Sequence, residues 1–158
     1  MYDSSLYREL GSVVELLSNS QYHRDFELKR YLRIEIAPAF RHKQVKVFYC
    51  DDKPIALVTW ARLSSEVLDD LVCSQRSLCE SDWKCGDLAF VNDLVVKGQH
   101  LHSVVSSIKH NLFWADGIVY SRLAALLSLE TNFFGLFPQT LNLRLRELSQ
   151  TRMRASCV

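Results

Sequence analysis

The stretch Leu88-Ala89-Phe90-Val91-Asn92-Asp93-Leu94-Val95-Val96 constrains the fold more than any other part of the chain. A nearly continuous apolar run of strand length reads as a strand buried on both faces, and such a strand needs a layer on either side of its sheet. Gln99 to Phe113 follows, with Leu101, Val104, Val105, Ile108 and Leu112 on one helical face, so strand, turn and helix form a unit. Asp93 interrupts the apolar run. A lone carboxylate in a central strand is costly, so it requires a partner or a cleft where the sheet opens. Two readings follow: a structural carboxylate that holds a helix end or an arginine, or a catalytic or orienting group.

The remaining chain supplies the other layers. Leu6, Leu10, Val13, Val14 and Leu17 recur at helical spacing until Ser18-Asn19-Ser20 breaks the pattern. Leu28, Tyr31, Leu32, Glu35 and Ile36 predict a second helix closing near Pro38. Val45 to Cys50 and Ile55 to Leu63 predict a hairpin joined through Asp51-Asp52-Lys53-Pro54. Ser64 or Ser65 caps a third helix carrying Leu68, Leu71, Val72 and Leu78, and Ile118-Val119-Tyr120 reads as a last strand. Leu123 to Phe137 fits helix and strand equally. This order predicts an α+β domain in three layers, a mixed β-sheet flanked by helices.

At 158 residues, 48% of them hydrophobic, one domain over residues 1–158 can form a core without metals or disulfides. Lysine and arginine number 19 against 18 acids, a balance that excludes the strongly basic signature of a dedicated nucleic-acid binder. Five cysteines without a C-x-x-C pair suggest neither a disulfide framework nor a zinc ribbon, and a cytoplasmic location is expected. Neither a signal-peptide pattern nor an apolar run of about 20 residues is visible, so no transmembrane segment is expected.

His23 lies in the predicted loop between the first two helices, flanked by Ser20 and Arg24. An imidazole ordinarily titrates near pH 6.5, which suits proton transfer near neutrality, and a carboxylate such as Asp93 can hold such a ring in one tautomer and stabilise its cation. The bland alternative is a surface histidine. His100 and His102 stand two apart and share no helical face, so with His110 they read as a solvated face, and no metal site is expected. Cys50, Cys73, Cys79 and Cys85 read as core or loop residues. Between Arg24 and Lys46, seven basic residues face three acids, a patch suited either to steering an acidic partner or to ordinary solvation. A second basic excess falls at Arg144, Arg146, Arg152 and Arg154. No P-loop or G-x-G-x-x-G turn is present; Gly98 is the only glycine at the strand-to-helix turn.

Six landmarks now resemble those of one family in order and spacing. They are Ser20-Gln21-Tyr22-His23-Arg24, Ile36-Ala37-Pro38-Ala39-Phe40, Lys53-Pro54-Ile55-Ala56, Trp60-Ala61-Arg62-Leu63-Ser64, Asp82-Trp83-Lys84-Cys85-Gly86-Asp87 and Phe90-Val91-Asn92-Asp93-Leu94. Over roughly residues 6 to 113 the chain resembles the toxin-activating lysine acyltransferases, the hemolysin-activating family encoded beside RTX toxins. The resemblance implies a fold related to the N-acetyltransferases (GNAT-like), a fatty acyl thioester on acyl carrier protein as donor, and internal lysines of an RTX protoxin as acceptors. It implies no bound cofactor, and it implies a homodimer. His23 matches the family's catalytic histidine, Asp93 its catalytic aspartate and Ser20 a serine beside the histidine, with Arg24 next to it as a supporting residue.

Three departures accompany these matches. Glu35, a further candidate for substrate binding or support, stands where the family usually carries an asparagine. Leu94-Val95-Val96-Lys97-Gly98 replaces an aromatic residue and a proline-containing turn after the aspartate. Residues 114–158 diverge and are expected to be partly disordered. Two alternatives stay open beside the acyltransferase: a non-catalytic toxin-binding partner or chaperone of the same fold, and a coenzyme A-dependent acetyltransferase.

Overall fold

The computed structural model describes residues 4–74, 76–112 and 119–121. Helix α1 (Ser4–Ser18) is followed by α2 (Leu28–Tyr31), a π-helical turn (Leu32–Ile36) and α3 (Ala37–Arg41), the last three end to end. Strands β1 (Val45–Cys50) and β2 (Lys53–Leu63) lead into α4 (Ser65–Ser74), then β3 (Leu88–Val96), α5 (Leu101–Asn111) and β4 (Val119–Ser121). The sheet order is β1-β2-β3-β4, antiparallel except for β4, which runs parallel to β3. The fold is α+β on a mixed sheet. A parallel neighbour requires a crossover, and α5 lies within that connection.

Helices cover both faces of the sheet. On one, Val104 and Ile108 of α5 pack on Ala56 and Val58 of β2 and Ala89 and Val91 of β3. On the other, Val13, Leu16 and Leu17 of α1, with Ile36, pack on Leu57 and Val95. Further along the same face, Leu68 and Leu71 of α4 meet Ala61, Leu63, Phe90 and Trp83. This alternation along β2 is the two-residue period of a strand with layers on both sides.

Three sequence expectations are corrected. The third helix, α4, ends at Ser74 and does not carry Leu78, which joins the same core cluster from the segment after it. The second helix does not close at Pro38. Its register changes in the π-helical turn, where the Ala37 N–H donates to the Leu32 carbonyl, and Pro38 then falls in the first turn of α3, where proline is tolerated. The hairpin connection is also tighter than four residues. Asp51 (φ 47°) and Asp52 (φ 61°) alone make the turn, both in the left-handed region that two-residue hairpins require. The four described cysteines are exposed, so none belongs to the core. Val119–Ser121 forms the strand expected there, whereas Leu123 to Phe137, the arginine excess from Arg144 and the expected disorder lie outside the described residues.

The segment before β3 is clamped by its own chemistry. Asp82 accepts from the Cys79 N–H at 2.8 Å and from Arg76 Nη1 at 2.6 Å. Trp83, fully buried, offers its carbonyl to the Arg62 N–H, and Gly86 donates back to the Arg62 carbonyl. This brings Gly86 so close to β2 that an added Cβ would stand 2.4 Å from the Leu63 carbonyl oxygen and 2.5 Å from Ser64 N. Backbone cannot yield as a side chain can. Gly86→Ala is therefore expected to destabilise the domain by about 2 kcal/mol or more, read as a lowered urea midpoint; Gly98→Ala, at a position open on all sides, should leave it nearly unchanged.

Candidate active site

The loop after α1 winds through successive tight turns: Ser20 N–H donates to Leu17 O, His23 N–H to Ser20 O, and Phe26 N–H to His23 O. This winding sets Ser20 and His23 on the same side, and Ser20 Oγ lies 2.8 Å from His23 Nδ1. The opposite ring nitrogen, Nε2, lies 3.0 Å from Asp93 Oδ2. His23 and Asp93 are both buried, the imidazole at 4% exposure despite its place in a loop. A carboxylate only accepts, so Nε2 carries the hydrogen toward Asp93 and Nδ1 takes the serine hydroxyl; the tautomer is assigned by these partners.

Asp93 reaches the loop because β3 is bulged. Thr59 pairs with Asp93 and Trp60 with Val91, which leaves Asn92 as the extra residue. Strict alternation would send Asn92 and Asp93 to opposite faces. At the bulge both meet the same helical layer: Asp93 bonds His23, and Asn92 Nδ2 donates to Glu35 Oε2 at 3.0 Å on the π-helical turn. Glu35 and Asn92 are buried, and both line the same cavity as Asp93.

Aromatic rings close around the imidazole. Tyr22 meets it edge-on at 4.9 Å and Tyr31 at 5.1 Å, while Phe26 stacks on Tyr31 at 5.5 Å with planes 16° apart. Tyr31 also donates its hydroxyl to Asp93 Oδ2 at 2.5 Å. A cavity of about 400 Å³ is lined by Phe26, Tyr31, Glu35, Asn92 and Asp93 among others, and one of about 180 Å³ by Leu17, His23, Arg24, Phe26, Leu28 and Tyr31. Phe26 and Tyr31 belong to both walls.

Of the residues singled out from sequence, His23, Asp93 and Ser20 come together in one chain of hydrogen bonds. Glu35 stands beside them through Asn92. Arg24 lines the smaller cavity, but its guanidinium is exposed and faces Asp25 at 3.5 Å. Tyr31 and Asn92 were not singled out. Tyr31 occupies an apolar-face position of a predicted helix, where a ring is ordinary, and Asn92 acquires its direction only from the bulge. Among the described residues no three His, Cys, Asp or Glu side chains stand close enough to hold a metal ion.

A buried imidazole with a carboxylate on one nitrogen and a hydroxyl on the other is apparatus for base-assisted group transfer. The chain belongs to the RTX toxin acyltransferase family, whose model matches residues 4–127. This match runs past residue 113, where the resemblance read from sequence ends. The chain is 28% identical over 112 residues to the lysine-acyltransferase RtxC of Vibrio cholerae, covering 70% of this chain and 72% of that protein. It is 28% identical over 99 residues to the leukotoxin-activating lysine-acyltransferase LktC of a Pasteurella haemolytica-like species (63% of this chain, 59% of that one). It is 33% identical over 81 residues to the protein-lysine myristoyltransferase RtxC of Kingella kingae (51% and 48%). The chain thus spans about half to three quarters of these relatives.

The Asn92–Glu35 bond gives a test of the site's construction that is independent of activity. Asn92→Ala removes a donor from a buried carboxylate and is expected to cost about 1–3 kcal/mol in urea unfolding at neutral pH. Glu35→Gln keeps an acceptor for Asn92 and should cost less.

Proposed function

We propose that the protein transfers a fatty acyl chain from the thioester of an acyl carrier protein to internal lysines of an RTX-type protoxin and thereby activates it. The family membership supports the reaction class, and the single observation that carries the reading is the Ser20–His23–Asp93 chain of hydrogen bonds, its histidine and aspartate buried at the walls of two cavities. A fold related to the N-acetyltransferases is part of the proposal, supported by a mixed sheet with helices on both faces. A cytoplasmic site of action and a homodimer belong to the same reading; no helix among the described residues is long and apolar enough to cross a membrane.

A lysine ammonium titrates near pH 10.4 and must lose a proton before its nitrogen attacks the thioester carbonyl. His23 is the base. Its Nδ1 accepts that proton, either directly or through the Ser20 hydroxyl that already occupies it, while Asp93 holds Nε2–H and stabilises the cation that forms. The amine nitrogen bonds to the acyl carbon, the tetrahedral intermediate gives up the nitrogen's second proton to solvent and expels the carrier thiolate, and the proton on His23 passes to that sulfur.

Lys29, Arg30 and Arg33 are exposed on α2 and the turn after it, and Arg30 also lines the larger cavity. This cationic face fits an acidic carrier protein approaching the site.

The test is the intact mass of a candidate protoxin after incubation with the protein and long-chain acyl carrier protein. A mass gain of one acyl group on lysine is expected, falling by about 10²- to 10⁴-fold in rate for His23→Ala and for Asp93→Asn. A stable complex with the protoxin and no mass gain would instead favour the toxin-binding partner.

A further inference from the structure

We propose that Tyr31 is a positioning residue of this site, its phenol sharing Asp93 with the imidazole and thereby limiting how tightly the carboxylate holds a protonated His23. The catalytic consequence rests on the transferase reading above; the coupling itself does not.

The argument starts from one oxygen. Asp93 Oδ2 receives Nε2–H of His23 at 3.0 Å and the Tyr31 hydroxyl at 2.5 Å, and the hydroxyl oxygen stands 3.3 Å from Nε2. Both donors compete for the same negative charge. In a buried setting each such bond is strong, because water does not screen it. When His23 is protonated, the bond to Asp93 becomes an ion pair, and a phenol that already draws charge from Oδ2 weakens it. Tyr31 therefore makes the imidazolium a readier proton donor, as returning a proton to the leaving thiolate requires.

The placement of the hydroxyl is fixed by packing. Phe26 stacks on the Tyr31 ring, and His23 meets its edge, so the phenol cannot swing away from Asp93 without leaving both. A phenylalanine would keep this ring packing and lose the hydroxyl. The other charged groups about the site stay in place: Asp25, Glu27, Arg30 and Glu35 line the larger cavity, and Arg24 the smaller. A change on removing the hydroxyl thus reports the hydroxyl.

The experiment compares the wild type with Tyr31→Phe by NMR titration of the His23 ring, alongside the pH profile of acyl transfer. The His23 midpoint is expected to move upward by about half a unit or more. The acid limb of kcat/KM should move with it. A midpoint that stays or falls overturns the proposal. If Tyr31→Phe does not fold, a singly ring-fluorinated tyrosine at position 31, a stronger donor of similar size, must move the midpoint down; a midpoint unmoved or raised overturns the proposal equally. Should the wild type transfer no acyl group to any acceptor, the transferase reading fails while the ring titration still decides the role of Tyr31.

Discussion

A carboxylate buried in the middle of a sheet has to be met by donors, and much of the site follows from how this chain meets that demand at Asp93. An ionised group of this kind, stripped of water and left alone, costs several kcal/mol. Two donors answer it, one from the loop after α1 and one from α2. The contact between His23 and Asp93 joins parts of the chain 70 residues apart, and it ties down a loop that crosses from one helix to the next. The groups that tie the loop to the sheet here are the same groups the proposed reaction uses, so the candidate site and the attachment of the loop are one structure.

Two irregularities face each other across this contact. β3 contains one residue more than its partner strand can pair, and the helix above it opens into a π-helical turn. Each departs from an ideal ladder, and such bulges in strands and helices recur at functional sites. Their common result is local: Asn92 and Glu35 meet at 3.0 Å, and Asp93 is left to turn toward His23. A regular strand under a regular helix would present either the asparagine or the aspartate to this layer, not both.

The fold was legible where burial follows periodicity. The apolar run of β3, the stripe of α5 and the hairpin pattern each predicted their elements, because side-chain period determines which face is covered. Pro38 misled, since its usual effect on a helix presumes that the α register continues through it, and a π-helical turn removes that premise. His23 and Asp93 were legible as chemical types and as a pair that proton-transfer chemistry would suit, a pairing the resemblance matched; their contact depends on a loop path that no periodicity describes. Tyr31 and Asn92 stayed hidden for different reasons. A tyrosine on an apolar helix face looks like packing until its hydroxyl finds a partner, and the direction of Asn92 is set by a bulge that the strand's own sequence does not announce.

On the proposed reaction, proton transfer from a lysine ammonium to an imidazole is uphill by about 5 kcal/mol in water, from the difference between their ordinary values of about 10.4 and 6.5. The site addresses both ends of that difference. An ammonium brought among Phe26, Tyr31 and the buried wall of β3 loses hydration, which favours its neutral form. The imidazolium formed at His23 faces a carboxylate at 3.0 Å, which supplies its counter-charge. Too strong a carboxylate would trap the proton on the ring, and the second half of the reaction needs it back on the departing sulfur. A buried acid that divides its charge between an imidazole and a phenol is a compromise between those two demands, and this is the physical reason that a third group belongs beside His23 and Asp93.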